Sequence, residues 1–228
     1  MGTDTPRATY ALVTINVIVY LFAAMAAHTP QLTAANSQLL LHGGLLESAV
    51  ADGQYWRLVT SGFLHLSIVH VAANMIALWL IGSQLEKVLG TARFVGIYFV
   101  SMLGGAAAVL IFGDQYTLTA GASGAIYGLL GALLVLVLQA RQSPMQILVI
   151  IALNLFITIA LPGISLWDHL GGLFFGTVMT AVIVYLPRRI PGDRPGRMVL
   201  INRLTWLSIV GLIILTTTLG IAAAAVGH

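Results

Sequence analysis

Seven stretches of this chain are apolar enough to sit in a bilayer, and that feature narrows the fold before any motif is read. A spanning helix needs about 20 mostly apolar residues. The stretches lie near 10–27, 67–85, 94–112, 120–138, 146–161, 166–186 and 204–225. The fifth is short and stops at Leu161-Pro162-Gly163, a helix-ending signal. Charged residues make up 7% of the chain and hydrophobic ones 59%, against about 25% charged in soluble domains. Too little polar surface remains to cover a water-facing globule. The expected fold is therefore an all-α polytopic membrane protein. The most polar stretch, 187–203, reads as a tether. We expect a six-helix bundle over residues 1–190, then a cytoplasmic linker and a seventh transmembrane helix over 191–228. No separate soluble domain and no internal repeat is visible.

The first apolar run, with Arg7 before it and Ala24-Met25-Ala26 after it, imitates a secretory signal. It is long for such a segment and Asp4 offsets Arg7, so a retained helix is expected. With no cysteine in the chain, disulfide and thiol chemistry are excluded. The net charge of +3 is spread over short loops, which argues against a nucleic-acid partner.

Lysine and arginine favour cytoplasmic loops. With the N-terminus inside, Arg7, Lys87, Arg93, Arg141, Arg188, Arg189, Arg194, Arg197 and Arg203 all fall inside, and only Arg57 falls outside. The connection over 28–66 is then external. It is long enough to carry function. Its leucines, Leu39-Leu40-Leu41 and Leu45-Leu46, beside Tyr55-Trp56-Arg57, suit a segment lying in the interface.

Polar groups inside spanning segments are costly and usually face the bundle interior. They gather here in the second segment (His70, Asn74), the fourth (Ser123, Tyr127) and the sixth (Asp168, His169). All three segments run from outside to inside, and in each the polar group lies in the outer half. His70 and Asn74 are four apart, as are Ser123 and Tyr127, so each pair shares a helix face. Gly124-x-x-x-Gly128 and Gly172-x-x-x-Gly176 let helices approach closely. If those faces meet, Ser123 and His169 come together. Taken singly, each signal has an ordinary reading: glycine pairs pack helices, Asn74 bonds a neighbour, a serine bonds its own backbone, and His65 is structural or interfacial. The set at one depth is what points to chemistry.

A serine hydroxyl needs a neighbouring base before it can attack. His169 can take that proton and return it to a leaving amine. Adjacent helical residues point about 100° apart, so Asp168 is badly placed to orient His169. Tyr127 could fix the imidazole by packing on it, which predicts a dyad rather than a triad. Asn74 and His70 offer N–H donors for an oxyanion. Gly121 and Gly124 keep the backbone around Ser123 open. Neither a metal nor a cofactor is implied. Polar groups at that depth imply a water-filled cavity open to the external side.

These residues match a known pattern. Gly121-Ala122-Ser123-Gly124 resembles the Gly-x-Ser-Gly motif of the rhomboid intramembrane serine proteases. His65-x-x-x-x-His70-x-x-x-Asn74 resembles that family's second-helix motif, and His169-Leu170-Gly171-Gly172 its sixth-helix histidine motif. Tyr127 matches the aromatic residue that packs on the histidine, and Tyr55-Trp56-Arg57 resembles the structural first-loop signature. Gly82, Glu86, Gly90 and Arg93-Phe94 fit the pattern after the second helix. The resemblance runs over roughly 53–176, in order. Asp168 departs from it, standing where many relatives have a less acidic residue. The resemblance implies Ser123 as nucleophile, His169 as base, and His70 and Asn74 at the oxyanion. It further implies membrane-protein substrates cut in or near a transmembrane segment, with the first loop and fifth helix shaping lateral access. A bacterial plasma membrane is the expected setting; the oligomeric state is not legible. A transporter predicts repeats that are not found, and an inactive client-binding scaffold would normally have lost Ser123 or His169.

Overall fold

The computed structural model describes residues 5–190 and 196–226, all of whose regular elements are helical. Asp4, Arg194 and the part of the expected linker over 191–195 lie outside them. Helix α1 spans Arg7–Ala27. The long connection folds into short pieces, α2 (Gln38–Gly43), α3 (Glu47–Ala51), α4 (Arg57–Thr60) and a tight 3₁₀ turn over Ser61–Phe63. Then come α5 (Ile68–Ala77), a π turn over Leu78–Gly82 and α6 (Ser83–Leu89), which together make one apolar rod. The remaining helices are α7 (Thr91–Phe112), α8 (Ser123–Gln139), α9 (Met145–Ala160), α10 (Leu166–Arg189) and α11 (Arg197–Val226).

Helices thus stand at all seven expected places. Five are long and apolar enough to cross a membrane: Arg7–Ala27, Ile68–Leu89, Thr91–Phe112, Leu166–Arg189 and Arg197–Val226. This is an integral membrane protein. The other two, α8 with 17 residues and α9 with 16, reach roughly 25 Å at about 1.5 Å per residue, short of a core about 30 Å thick. In α8 the shortfall has a local cause. The expected start at 120 is delayed to Ser123 because Gly121 sits at φ +146, a conformation no helix contains. Residues 113–120 before it run as turn and irregular backbone, exposed over 114–117 and half-buried from 118 on.

Helix α7 is the axis of the bundle. Its spanning window is 78% buried, against 22–33% for the other long spans. Helices α8 and α10 pack on it through small residues, and their glycine faces meet. A Cβ at Gly172 would strike the Gly124 carbonyl, one at Gly176 the Gly128 backbone, and one at Gly128 the Ser101 hydroxyl. Backbone thus touches backbone where α8 crosses α10.

Two buried charges tie the outer parts to this core. Helix α1 has no side-chain cap of its own, so its first amides need acceptors. Glu86, fully buried, accepts from the Ala8 N–H (3.0 Å), the Thr9 N–H and the Thr9 hydroxyl (2.8 Å each), and from the Thr91 hydroxyl (2.8 Å). One carboxylate therefore caps α1 and pins it to the start of α7. Arg57, also buried, donates to the Gly44 carbonyl and to Gln54 Oε1 (2.8 Å), folding the first loop onto itself. The tether is shorter than expected. Helix α10 continues to Arg189 and α11 begins at Arg197. Arg197 donates back to the Pro187 (2.7 Å) and Ile190 (3.0 Å) carbonyls, supplying partners at the C-terminal end of α10. Helix α11 then lies along α7, with Ile209 against Gly96 and Gly220 against Ala107 and Leu110.

Candidate active site

Four helix ends converge at one end of the bundle. His70 is in the first turn of α5, Ser123 is the first residue of α8, His169 is in the first turn of α10, and Thr158 is in the last turn of α9. The loop that delivers Ser123 is anchored on the first loop. Leu45 and Thr119 exchange both backbone hydrogen bonds (2.8 and 2.9 Å), and the Gly121 N–H donates to the Ser61 carbonyl (2.9 Å). Gly121 is required twice over. Its φ is left-handed, and a Cβ there would sit 3.0 Å from the His70 ring and 3.5 Å from the Ser123 hydroxyl. His70 and Ser123 therefore face each other across a bare backbone.

His169 is 95% buried and stacked face to face on Tyr127, with ring centroids 4.0 Å apart and 14° between planes. Its Nδ1 lies 2.7 Å from the Thr158 hydroxyl, which is 3.2 Å from the Tyr127 hydroxyl. Tyr127 packs on the imidazole as its position one turn below Ser123 suggested. Thr158 is a residue that sequence reading missed. The available signal was faint: an Asn154-x-x-x-Thr158 pair on an otherwise apolar helix.

Asp168 differs from expectation. It does not bond His169, in keeping with the 100° argument, but it is not spare. Its Oδ2 accepts the Ser123 hydroxyl at 3.1 Å, while its own amide donates to the Ser165 hydroxyl that caps α10 (3.2 Å). The carboxylate fits because Gly105 and Gly124 leave it room; a Cβ on either would press on Oδ1. In the geometry seen here the serine is paired with Asp168 and the histidine with Thr158.

On the opposite wall, Asn74 is buried and donates one Nδ2 hydrogen to the His70 carbonyl (3.0 Å). An amide carries two such hydrogens, so one is left over. The Leu66 N–H points at His70 Nδ1 across 3.5 Å. A neutral ring accepting there carries its proton on Nε2, the atom beside Gly121. His65, in the loop before α5, packs edge-on against His70 at 5.0 Å and 69°. Burial, reinforced by neighbouring His70, pushes its pKa down to about 3, so it is neutral near pH 7. Among the described residues no cluster of His, Cys, Asp or Glu is placed to hold a metal ion.

The sequence matches the Rhomboid domain over residues 52–186. The chain belongs to the rhomboid family. Rhomboid protease GluP of Bacillus subtilis is 34% identical over 184 residues, covering 78% of this rhomboid chain and 35% of its own. RHOMBOID-like protein 4 of Arabidopsis thaliana is 29% identical over 192 residues, 78% of this chain and 48% of its own. YdcA of Bacillus subtilis is 28% identical over 192 residues, 81% of this chain and 92% of its own. The chain thus spans about a third to a half of the first two relatives and nearly all of the third.

Proposed function

We propose that this rhomboid is an intramembrane serine endopeptidase that cuts membrane proteins in or near a transmembrane segment, through Ser123 and His169. The observation that carries the reading is the meeting of Ser123, a tyrosine-stacked His169 and the His70–Asn74 wall at helix ends buried in one bundle. In the reaction, Ser123 turns about χ1 from Asp168 toward His169. Its Oγ bonds the scissile carbonyl carbon and its proton passes to His169 Nε2. The C–N bond breaks as that proton moves to the leaving amine. Water then attacks the acyl-serine, gives its proton to His169, and Ser123 recovers it as the acid is released. The spare Asn74 hydrogen and His70 Nε2–H stabilise the oxyanion. The core over 1–190 carries this chemistry, and α11 buttresses α7. The site faces the external side of what we take to be a bacterial plasma membrane, with the N-terminus in the cytoplasm and lipid around the bundle.

One observation favours a second reading, a client-binding scaffold of weak catalytic power: the Ser123 hydroxyl rests on Asp168. Labelling with a fluorophosphonate probe separates the two. An endopeptidase labels, and Ser123→Ala or His169→Ala abolishes labelling. A folded wild-type protein that takes up no probe would favour the scaffold.

A further inference from the structure

Thr158 holds three oxygen or nitrogen atoms within hydrogen-bond reach of its Oγ: the Asn154 carbonyl at 2.9 Å, His169 Nδ1 at 2.7 Å and the Tyr127 hydroxyl at 3.2 Å. A hydroxyl has one hydrogen and two acceptor lone pairs. A carbonyl can only accept, so the Thr158 hydrogen belongs to Asn154. Both other neighbours must then donate. One assignment satisfies all three contacts: Tyr127 gives its O–H, and His169 gives a proton on Nδ1. That saturates Thr158 and leaves Nε2 of a neutral His169 without a hydrogen.

We propose that Thr158 is a positioning residue that fixes the tautomer of His169, doing with a neutral hydroxyl what a carboxylate does in a serine triad. The inference rests on the endopeptidase reading for its catalytic consequence but not for its chemistry. Nε2 is the only ring atom left to accept the Ser123 proton, and an imidazole in the other tautomer could not take it. The neighbouring acid does not fill this role, since Asp168 is bonded to Ser123. Thr158 and Ile151 are the only buried residues of α9, so the one polar side chain this lightly held helix buries lies against the base and the tyrosine stacked on it. The state of His169 therefore depends on α9 being docked.

The test uses full-length protein in proteoliposomes and the variants Thr158→Val and Thr158→Ser. Valine keeps the shape and removes the hydroxyl; serine keeps the hydroxyl. Nitrogen-15 spectra of histidine-labelled protein, with His169→Gln to assign the signal, read the tautomer without any cleavage. The wild type and Thr158→Ser should show a protonated Nδ1 and a bare Nε2 on His169. Thr158→Val should show a mixture or the reverse. With a transmembrane substrate, Thr158→Val should lower kcat about 10–100-fold at unchanged KM, short of the ~10⁴ that removing a charged orienting group costs. Thr158→Ser should restore kcat to within a few fold. A tautomer unmoved in a folded Thr158→Val protein overturns the proposal, as does a kcat within twofold of wild type. If no variant cleaves anything, including wild type, the endopeptidase reading fails while the tautomer result still decides the role of Thr158.

Discussion

Ser123 and His169 each have a partner other than the other: Asp168 holds the hydroxyl and Thr158 holds the ring. If Asp168 only parks the hydroxyl, freeing Ser123 should be cheap. Asp168→Ala is expected to change kcat by less than about tenfold, far from the ~10⁴ typical of a triad aspartate. A kcat as low as that of His169→Ala would instead make the carboxylate the base. Asn74→Ala should cost about 10²–10³ in kcat with little change in KM, as loss of one oxyanion donor does. Unchanged turnover would reduce Asn74 to its bond with the His70 carbonyl. His65 gives a stability test. Its folded pKa is pushed down to about 3 from an ordinary value of 6.5. Protonation therefore favours the unfolded chain. The stability it contributes is complete above about pH 6.5 and is lost as pH falls toward 3, at up to about 1.4 kcal/mol per unit. The melting temperature of His65→Phe should fall less steeply than wild type between pH 6.5 and 4, and equal slopes would contradict this.

At the scale of elements, the crossing of α8 and α10 is set by absent side chains. Gly172→Ala would drive a methyl into the Gly124 carbonyl, and overpacking of this kind costs about 1–3 kcal/mol. Gly211 in α11 has nothing within 4 Å of its missing Cβ, so Gly211→Ala should be neutral or stabilise by about 0.5–1 kcal/mol. Thermal unfolding in detergent compares the two, and equal melting temperatures would show that the crossing tolerates separation. These glycine faces and the seven apolar runs were legible in the sequence because lipid enforces length and hydropathy, and close backbone approach enforces glycine. Tyr127 was legible from its spacing to Ser123. Asp168 was legible only in part: helical geometry says where it does not point, but its partner lies on α8 and its space comes from Gly105 on α7. Thr158 was not legible, since a threonine in an apolar helix ordinarily bonds its own backbone, and this one does that as well.

For the whole molecule, the distribution of basic residues sets the proposed orientation, and the exception has a structural reason. Arg57, alone on the expected outer side, is buried and occupied by the Gly44 carbonyl and Gln54. It is an internal strut of the first loop. Because the chain has no cysteine, single cysteines report topology directly. Tyr116→Cys, 83% exposed in the loop between α7 and α8, should react with an impermeant maleimide from outside intact cells. Ser143→Cys, exposed between α8 and α9, should react only after the cells are opened. The reverse pattern would invert the topology. On the proposed orientation the site lies at the external ends of α5, α8 and α10, so cleavage should fall in the outer part of a client's spanning segment. Cleavage through Ser123 and His169 is tested most directly by mass spectrometry of a single-span reporter incubated with the purified protein in proteoliposomes. Wild type should give one or a few cuts in the outer half of the span, and Ser123→Ala or His169→Ala none. Undiminished cleavage by Ser123→Ala would contradict the dyad.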